Sequence, residues 1–314
     1  MHQNAMRRWI SGTLMCTTAL AGAAASATDL PQGQSALHQG QASSDLMSRG
    51  YHLVSELKVT NDGGGRDADP GALPDRTDGG HLVRRYTYEL GVTTHTELYE
   101  EFGTSNQKIM QEKGALIGVK GAVTRHLGPD RKLIVAGEIA MGESDYTGSF
   151  IGGNYGELRF NGQSRYLLDV SVAYKQSIPQ WSDVAFSAGV GYRRLTDNLQ
   201  EAGPAGYQRV NDRIYLALGV EKPFHSGNWT ISPGLNYRSA LWGNQYSALS
   251  GGLDKKQKDA SGFELYVNFA HKPSRITLTP FLRTWSADDS EVTRGFYEPR
   301  NDTREVGVAL TYRF

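Results

Sequence analysis

The chain has 314 residues and equal numbers of basic and acidic side chains (33 each), so its charge gives no reason to expect a nucleic acid as partner. A mean hydropathy of −0.47 and the absence of any long apolar run after the N-terminal region exclude a bundle of membrane helices. The 37 glycines and 16 tyrosines are many for a soluble domain of this size and favour a β-rich chain with many turns and aromatic belts.

The first 27 residues predict a cleavable secretory signal peptide. Arg7 and Arg8 precede an apolar stretch over residues 9–23, and a run of small residues follows over 23–27. A charged start, a short apolar middle and an A-x-A site are the secretory pattern, with cleavage expected after Ala27. A membrane-spanning helix is the weaker alternative, because glycines and threonines dilute a run that is already short for a bilayer.

Cysteine usage limits the chemistry of the mature chain. Cys16 is the only cysteine, it lies within the predicted signal peptide, and Met15 before it does not fit a lipidation site. The mature protein therefore has no thiol for a disulfide or a thiolate metal site. We expect neither a cofactor nor a metal.

Residues 28–80 predict a flexible segment on the periplasmic side. The stretch from Asp62 to Pro70 is polar and rich in glycine, which is typical of mobile linkers. Its acidic residues do not have the spacing of a calcium loop. Residues 51–59 alternate weakly and could form a strand or a plug, but we leave them outside the predicted barrel.

Residues 81–314 predict a membrane domain made of strands. From about residue 82, apolar residues recur at every second position, as in strands with one apolar face. Ten such segments of ~9–11 residues, each long enough to cross a bilayer at a tilt, follow one another. They lie near residues 82–92, 115–123, 133–141, 168–174, 184–192, 214–220, 229–237, 263–269, 276–282 and 306–314.

The lengths of the connections separate a membrane barrel from a soluble β-sandwich. Short links near residues 128–130, 176–180, 223–228 and 271–275 alternate with long polar links. Outer-membrane barrels are built with short turns on one side and long loops on the other. The long links lie at residues 99–112, 143–164, 194–211, 239–262 and 286–304. We therefore predict an all-β fold, a transmembrane antiparallel up-and-down β-barrel of about ten strands, with both chain ends in the periplasm.

Aromatic residues fall where membrane interfaces are expected. Those near the short turns and those near the long links predict two girdles at the level of the lipid headgroups. The first group is Tyr174, Trp181, Trp229, Phe269 and Phe314, and the second is Tyr166, Tyr192, Tyr237 and Phe263. Strand propensity alone could also explain these residues.

With its signal peptide, its strand count and its final segment Thr311-Tyr312-Arg313-Phe314, the chain resembles the bacterial outer-membrane β-barrel proteins, including the small opacity-like and porin-like barrels. The resemblance covers the leader and residues 82–314 and names no single family. It implies an outer-membrane location in a Gram-negative bacterium. It also implies that Tyr312 and Phe314 belong to a signal read by the barrel assembly machinery, and that membrane lipid and lipopolysaccharide are partners.

The faces opposite the apolar ones carry charged residues. A cation on the lipid side near mid-membrane would cost ~2–4 kcal/mol, so these residues must point inward, where they can pair. We interpret them as an interior ion-pair network rather than a selectivity filter, because a barrel of this size is usually filled by its own side chains. The predicted network is Arg85, Glu89, Lys120, Glu138, Asp169, Lys175, Arg193, Glu221, Arg238, Glu264, Arg283 and Arg313.

The evidence for an enzyme is weak. His95 and Glu97 share the inward face near the predicted outer rim, and Asp288 and Asp289 lie in the last long link. In residue type alone, a histidine with acidic partners at the rim resembles the omptin proteases, which are also ten-stranded, but the order and flanking residues of that family are missing. No serine and histidine stand out as the pair that a lipid hydrolase would need.

The sequence favours a non-enzymatic surface barrel of the adhesin or opacity type. Its predicted outer loops are rich in Gly, Ser, Asn, Asp and Tyr, which provide contact area for binding. Lys255, Lys256 and Lys258 predict a basic patch that could meet an anionic polysaccharide. A narrow channel for small solutes and a hydrolase at the rim are the alternatives.

Overall fold

The computed structural model describes residues 77–78, 81–82, 85–150, 153–204, 206–249, 252–257, 259–292 and 295–314. The predicted signal peptide and the predicted periplasmic segment, apart from residues 77–78, lie outside the described residues. Lys258 of the predicted basic patch lies outside them as well.

Ten long strands of the described chain pair antiparallel in chain order, and the last pairs with the first. The sheet is therefore closed on itself and leaves no free edge between its ends. The strands are β1 (Tyr86–Phe102), β2 (Lys108–His126), β3 (Arg131–Gly148), β4 (Leu158–Ile178), β5 (Val184–Asn198), β6 (Gln208–Glu221), β7 (Trp229–Ser247), β8 (Ala260–His271), β9 (Ile276–Ala287) and β10 (Arg300–Arg313).

The predicted fold class is confirmed. Along each strand, large apolar side chains point away from the lumen and are exposed at the barrel surface, as Val92, Ile117, Ile139 and Leu310 are. A belt of such residues in water would be far larger than the apolar patches that soluble monomers expose, whereas it matches a hydrocarbon environment. Among the described residues, no helix is long and apolar enough to cross a membrane.

The strands are longer than the sequence predicts, running from 12 residues in β8 to 21 in β4. The predicted long links are therefore wrong as loops over much of their length. Between β1 and β2, for example, the connection is only residues 103–107, where the Gly103 amide donates to the Gln107 carbonyl over 2.8 Å. The strands continue because the closed sheet still pairs their backbone groups after the outward residues turn polar.

The two ends of the barrel differ in their connections. Residues 127–130, 179–183, 222–228 and 272–275 make the connections at one end, which we call the turn end. The longer connections (residues 149–157, 199–207, 248–259 and 288–299) lie at the other, which we call the loop end. The first strand begins and the last strand ends at the turn end, where the Phe314 amide donates to the Tyr88 carbonyl over 2.9 Å.

The barrel begins at Tyr86 rather than at residue 81. His81–Leu82 instead forms a two-residue ladder with Thr77–Asp78. Two further short strands pair with β7. They are Phe224–Ser226 at the turn end and Leu253–Lys256 at the loop end.

Candidate functional site

A closed ring of ion pairs lies inside the barrel. Its six members alternate in charge, all are less than 9% exposed, and we call them the inner ring: Asp169, Arg193, Arg238, Glu264, Arg283 and Glu305. Inward-facing positions on six different strands supply them, since successive side chains of a strand alternate between the two faces of the sheet.

The contacts run continuously around the ring. Arg238 reaches Asp169 over 3.3 Å and Glu264 over 2.5 Å. Arg283 reaches Glu264 over 3.2 Å and Glu305 over 2.7 Å. Arg193 contacts the same Glu305 and lies 3.6 Å from Asp169, which completes the ring.

The inner ring crosses the lumen instead of following its wall. Arg193 on β5 bonds to Glu305 on β10, and these two strands are five apart in a closed sheet of ten, so they face each other. Arg283 on β9 also reaches Glu138 on β3 over 3.3 Å. Bonds of this kind fill the space between opposite walls and close the lumen at this level.

A second group of ion pairs lies nearer the loop end. We call it the outer cluster: Glu97, Glu101, Glu112, Arg165, Asp197 and Arg209. Arg209 on β6 reaches Glu101 on β1 over 2.8 Å, again between opposite strands. The ring of Tyr99 lies 5.5 Å from the guanidinium groups of both arginines, a distance suited to cation–π contact.

The turn-end half of the lumen is open. A cavity of about 720 Å³, which we call the vestibule, is lined by polar side chains such as Lys120, Thr124, Ser171 and Ser187. Glu138 and members of the inner ring form its inner boundary. The interior thus consists of a polar cavity at one end and packed ion pairs at the other.

The structure separates the predicted network residues into three groups. Glu138, Asp169, Arg193, Arg238, Glu264 and Arg283 lie together in or beside the inner ring. Lys120, the Lys175–Glu221 pair (2.7 Å) and the Arg313–Glu89 pair (2.8 Å) line the vestibule. Arg85 precedes β1, and its guanidinium lies 5.9 Å from the ring of Tyr86.

The structure does not assemble the predicted catalytic candidates. His95 and Glu97 point inward, but they are 2% and 3% exposed, so they lie inside the packed interior and not at an open rim. Asp288 and Asp289 are exposed in the connection between β9 and β10, and Asp289 accepts a bond from the Arg300 amide over 2.6 Å. These exposures differ from the open rim arrangement that the sequence predicts.

The structure also differs from the predicted basic patch. Lys255 is 2% exposed and donates to the Phe296 carbonyl over 2.6 Å, so it does not contribute to an exposed basic surface. The predicted assembly residues Tyr312 and Phe314 are exposed on the outer face at the turn end, with ring centroids 5.1 Å apart.

Sequence reasoning missed Glu305 and most of the outer cluster. Glu305 directly precedes the predicted last strand, which begins at Val306. Arg209 lies within the link predicted over residues 194–211, and Arg165 directly follows the link predicted over residues 143–164. The signal that could have found them is the recurrence of charged or polar residues at every second position, as in Glu97, Tyr99 and Glu101.

One loop-end carboxyl group has an altered affinity for protons. Glu298 lies in the connection between β9 and β10 and accepts bonds from Gln245 (2.6 Å) and Ser247 (2.9 Å). Burial raises the pKa of Glu298 to about 7, and the negative charge of Glu101 acts in the same direction. This carboxyl group therefore titrates near neutral pH.

Comparison with solved structures returns barrels of the outer membrane. The chain is similar to the outer-membrane protease OmpT from Escherichia coli (12% identity, 74% of this chain and 97% of that one, TM-score 0.47). It is also similar to an outer-membrane channel from Pseudomonas putida F1 (10%, 79% and 100%, TM-score 0.33). The translocator domain of the autotransporter NalP from Neisseria meningitidis matches at 14% identity, covering 86% and 95%, with a TM-score of 0.32.

No family model and no curated protein matches the chain. The closed strand pairing and the apolar exterior show the barrel independently of these similarities.

Proposed function

We propose that this protein is a non-enzymatic outer-membrane barrel of the adhesin or opacity type, with a lumen closed by ion pairs and a loop end that binds extracellular ligands. The observation that supports it best is the pairing of opposite walls by the inner ring and the outer cluster. Arg193 to Glu305 and Arg209 to Glu101 both cross the lumen. A barrel filled in this way has no wide path for solutes.

The loop end offers a surface suited to binding. The strands continue past the apolar belt, so we expect the connections to stand clear of the membrane. Large side chains are exposed there: Phe150 (58%) and Tyr155 (40%) in one connection, Val292 (71%) and Phe296 (39%) in another. Aromatic side chains on polar connections supply contact area at low entropic cost.

Contact with lipopolysaccharide remains part of the proposal. Lys113 on β2 and Arg304 on β10 flank Leu98 on β1 in register, and all three line one groove on the outer face of the barrel. A pair of cations beside apolar side chains suits a phosphorylated lipid. Glu143 and Asp145 line the same groove and limit its net positive charge.

The proposed binding role is tested on whole cells. Bacteria that express the wild-type protein should adhere to an epithelial cell layer several-fold better than cells carrying an empty vector. The variants Phe150→Ser/Tyr155→Ser and Val292→Ser/Phe296→Ser should lose this gain, because they remove the exposed contact surface.

The matched control is Phe224→Ser, which removes a side chain that is 53% exposed at the turn end. It should leave adherence unchanged at equal surface abundance. Equal adherence of wild type and vector, or full adherence of both loop-end variants, would reject the proposal.

A further inference from the structure

Three buried ligand-type side chains meet at the seam where the barrel closes. His95 and Glu97 lie two residues apart on β1, and Glu305 lies directly opposite Glu97 on β10. One ligand atom from each of the three lies within 4.8 Å of the other two. All three residues are at most 3% exposed.

The hydrogen bonding of this cluster is incomplete. Neither ring nitrogen of His95 has a hydrogen-bond partner, and neither does Oε2 of Glu97, although all three atoms are buried. An unbonded polar atom in a buried site costs about 1–3 kcal/mol, so such atoms call for a ligand. Glu138 is close as well, with an unbonded Oε1 that lies 3.8 Å from His95 Nδ1.

The charged side chains around this cluster include more carboxylates than cations. The inner ring contains three carboxylates and three arginines, while the outer cluster contains four carboxylates and two arginines. Glu138 is a further carboxylate that stands opposite Lys120 in register, and the buried Arg213 is a further cation. The excess of carboxylates therefore lies in the outer cluster, which includes Glu97.

From these observations we infer a binding site for one divalent metal ion of the zinc type, formed by His95, Glu97 and Glu305 across the β1–β10 seam. An imidazole with two carboxylates is a ligand set that Zn²⁺ accepts. This inference revises the expectation from the sequence that the protein has no metal site.

The spacing of the three ligand atoms fits a zinc ion if the side chains move slightly closer together. A point equidistant from three atoms that are 4.8 Å apart lies about 2.8 Å from each, whereas Zn–N and Zn–O distances are about 2.0–2.2 Å. Each side chain must therefore move inward by roughly 0.6–0.8 Å. Gly307, the β10 partner of His95, leaves room for the ring, because a Cβ there would lie 2.5 Å from His95 Cβ.

An ion in this site would join the first strand to the last. Glu97 and Glu305 lie directly opposite each other across the seam. Glu97 is already paired with Arg165, and Glu305 with Arg193 and Arg283, so a shared metal ion would add a direct link between two carboxylates that now hold only separate partners. The vestibule comes close to the site, because Glu138 lines that cavity and its Oε1 lies 3.8 Å from His95 Nδ1.

The test measures metal in the full barrel. The wild-type protein is refolded in detergent, loaded with Zn²⁺ and dialysed against metal-free buffer, and zinc is quantified by mass spectrometry. We expect one equivalent per barrel, and Co²⁺ in its place should give visible d–d bands. His95→Gln and Glu97→Gln should each bind at least about tenfold more weakly.

His126→Gln is the matched control, since His126 faces the vestibule and bonds to Thr87 over 2.9 Å. It should retain the full equivalent of zinc. Zinc at background level in the wild type, or an undiminished equivalent in both His95→Gln and Glu97→Gln, would overturn the inference.

Heat-modifiable gel migration reports whether each variant folds. If His95→Gln fails to fold, X-ray absorption of the Co²⁺-loaded wild type decides instead. Histidine scattering around the metal supports the site, and its absence overturns it.

Discussion

The two halves of the lumen fill their space in different ways. At the turn end the vestibule is a polar cavity, and pairs such as Arg313–Glu89 lie partly exposed around it. Towards the loop end the space is filled by guanidinium and carboxylate groups with almost no exposure. Charged side chains of the same kinds therefore line a polar cavity in one half of the lumen and form a packed core in the other. Their contributions to the free energy of unfolding should differ, because burial sets the strength of an ion pair.

The largest effect should come from removing an arginine of the inner ring. Arg283→Met leaves Glu138, Glu264 and Glu305 without a shared partner, so we expect the free energy of unfolding to fall by about 3–5 kcal/mol. Urea titration of the refolded barrel, followed by tryptophan fluorescence, measures this change.

The matched control is Arg313→Met in the vestibule. Its side chain is 51% exposed, so the loss of its pair with Glu89 should change stability by less than about 1 kcal/mol. Equal losses in Arg283→Met and Arg313→Met would remove the distinction between the two halves.

A smaller effect concerns coupling across the lumen. A double-mutant cycle of Arg193→Met and Glu305→Gln should give a coupling free energy of about 1–3 kcal/mol, because both side chains are buried and bonded between opposite walls. The Arg194–Asp212 pair, whose arginine is 49% exposed, should give clearly less in the same assay. The reverse order would contradict the interior role of Arg193.

Much of the contrast between the two halves of the lumen could be predicted from the sequence. The remainder could not, because it depends on pairing between distant strands. Asp169, Arg193, Arg238, Glu264 and Arg283 were predictable because each alternates with apolar residues that must face lipid. Glu112 and Asp197 lie beyond the apolar belt, where the neighbouring outward side chains are polar and the apolar alternation on that face is lost. Strand continuation there depends on pairing within the closed sheet, which no local pattern encodes.

Glu298 should make the loop end sensitive to pH. Its pKa in the folded protein, about 7, exceeds the ordinary value of 4.5. The stabilisation that results is therefore present below about pH 4.5 and is lost as the pH rises through about 7. Amide hydrogen exchange, corrected for its intrinsic rate, should show less protection of residues 295–299 at pH 8 than at pH 5, by on the order of 2–3 kcal/mol.

Glu298→Gln should remove this difference, since the amide does not titrate. Glu291→Gln, an exposed change in the same connection, should retain it. A pH dependence that survives in Glu298→Gln would assign the effect to another group.

Single cysteine substitutions, which should have the smallest effect on the barrel, test whether water reaches each half of the lumen. With the predicted signal peptide removed the chain has no cysteine, so single cysteines report cleanly. Ser187→Cys in the vestibule should react rapidly with a water-soluble maleimide, whereas Ser144→Cys, where the native serine is 2% exposed, should react at least tenfold more slowly. Similar rates would mean that water fills both halves.

The most direct test of the closed lumen is ion conductance. Pure refolded protein is added to a planar lipid bilayer under voltage, with a conducting porin as calibration of the assay. Bonds between opposite walls, such as Arg193–Glu305 and Arg209–Glu101, predict insertion without discrete current steps. Stable, uniform steps from the wild-type barrel would contradict the account, because ions would then pass where the ion pairs are expected to leave no path.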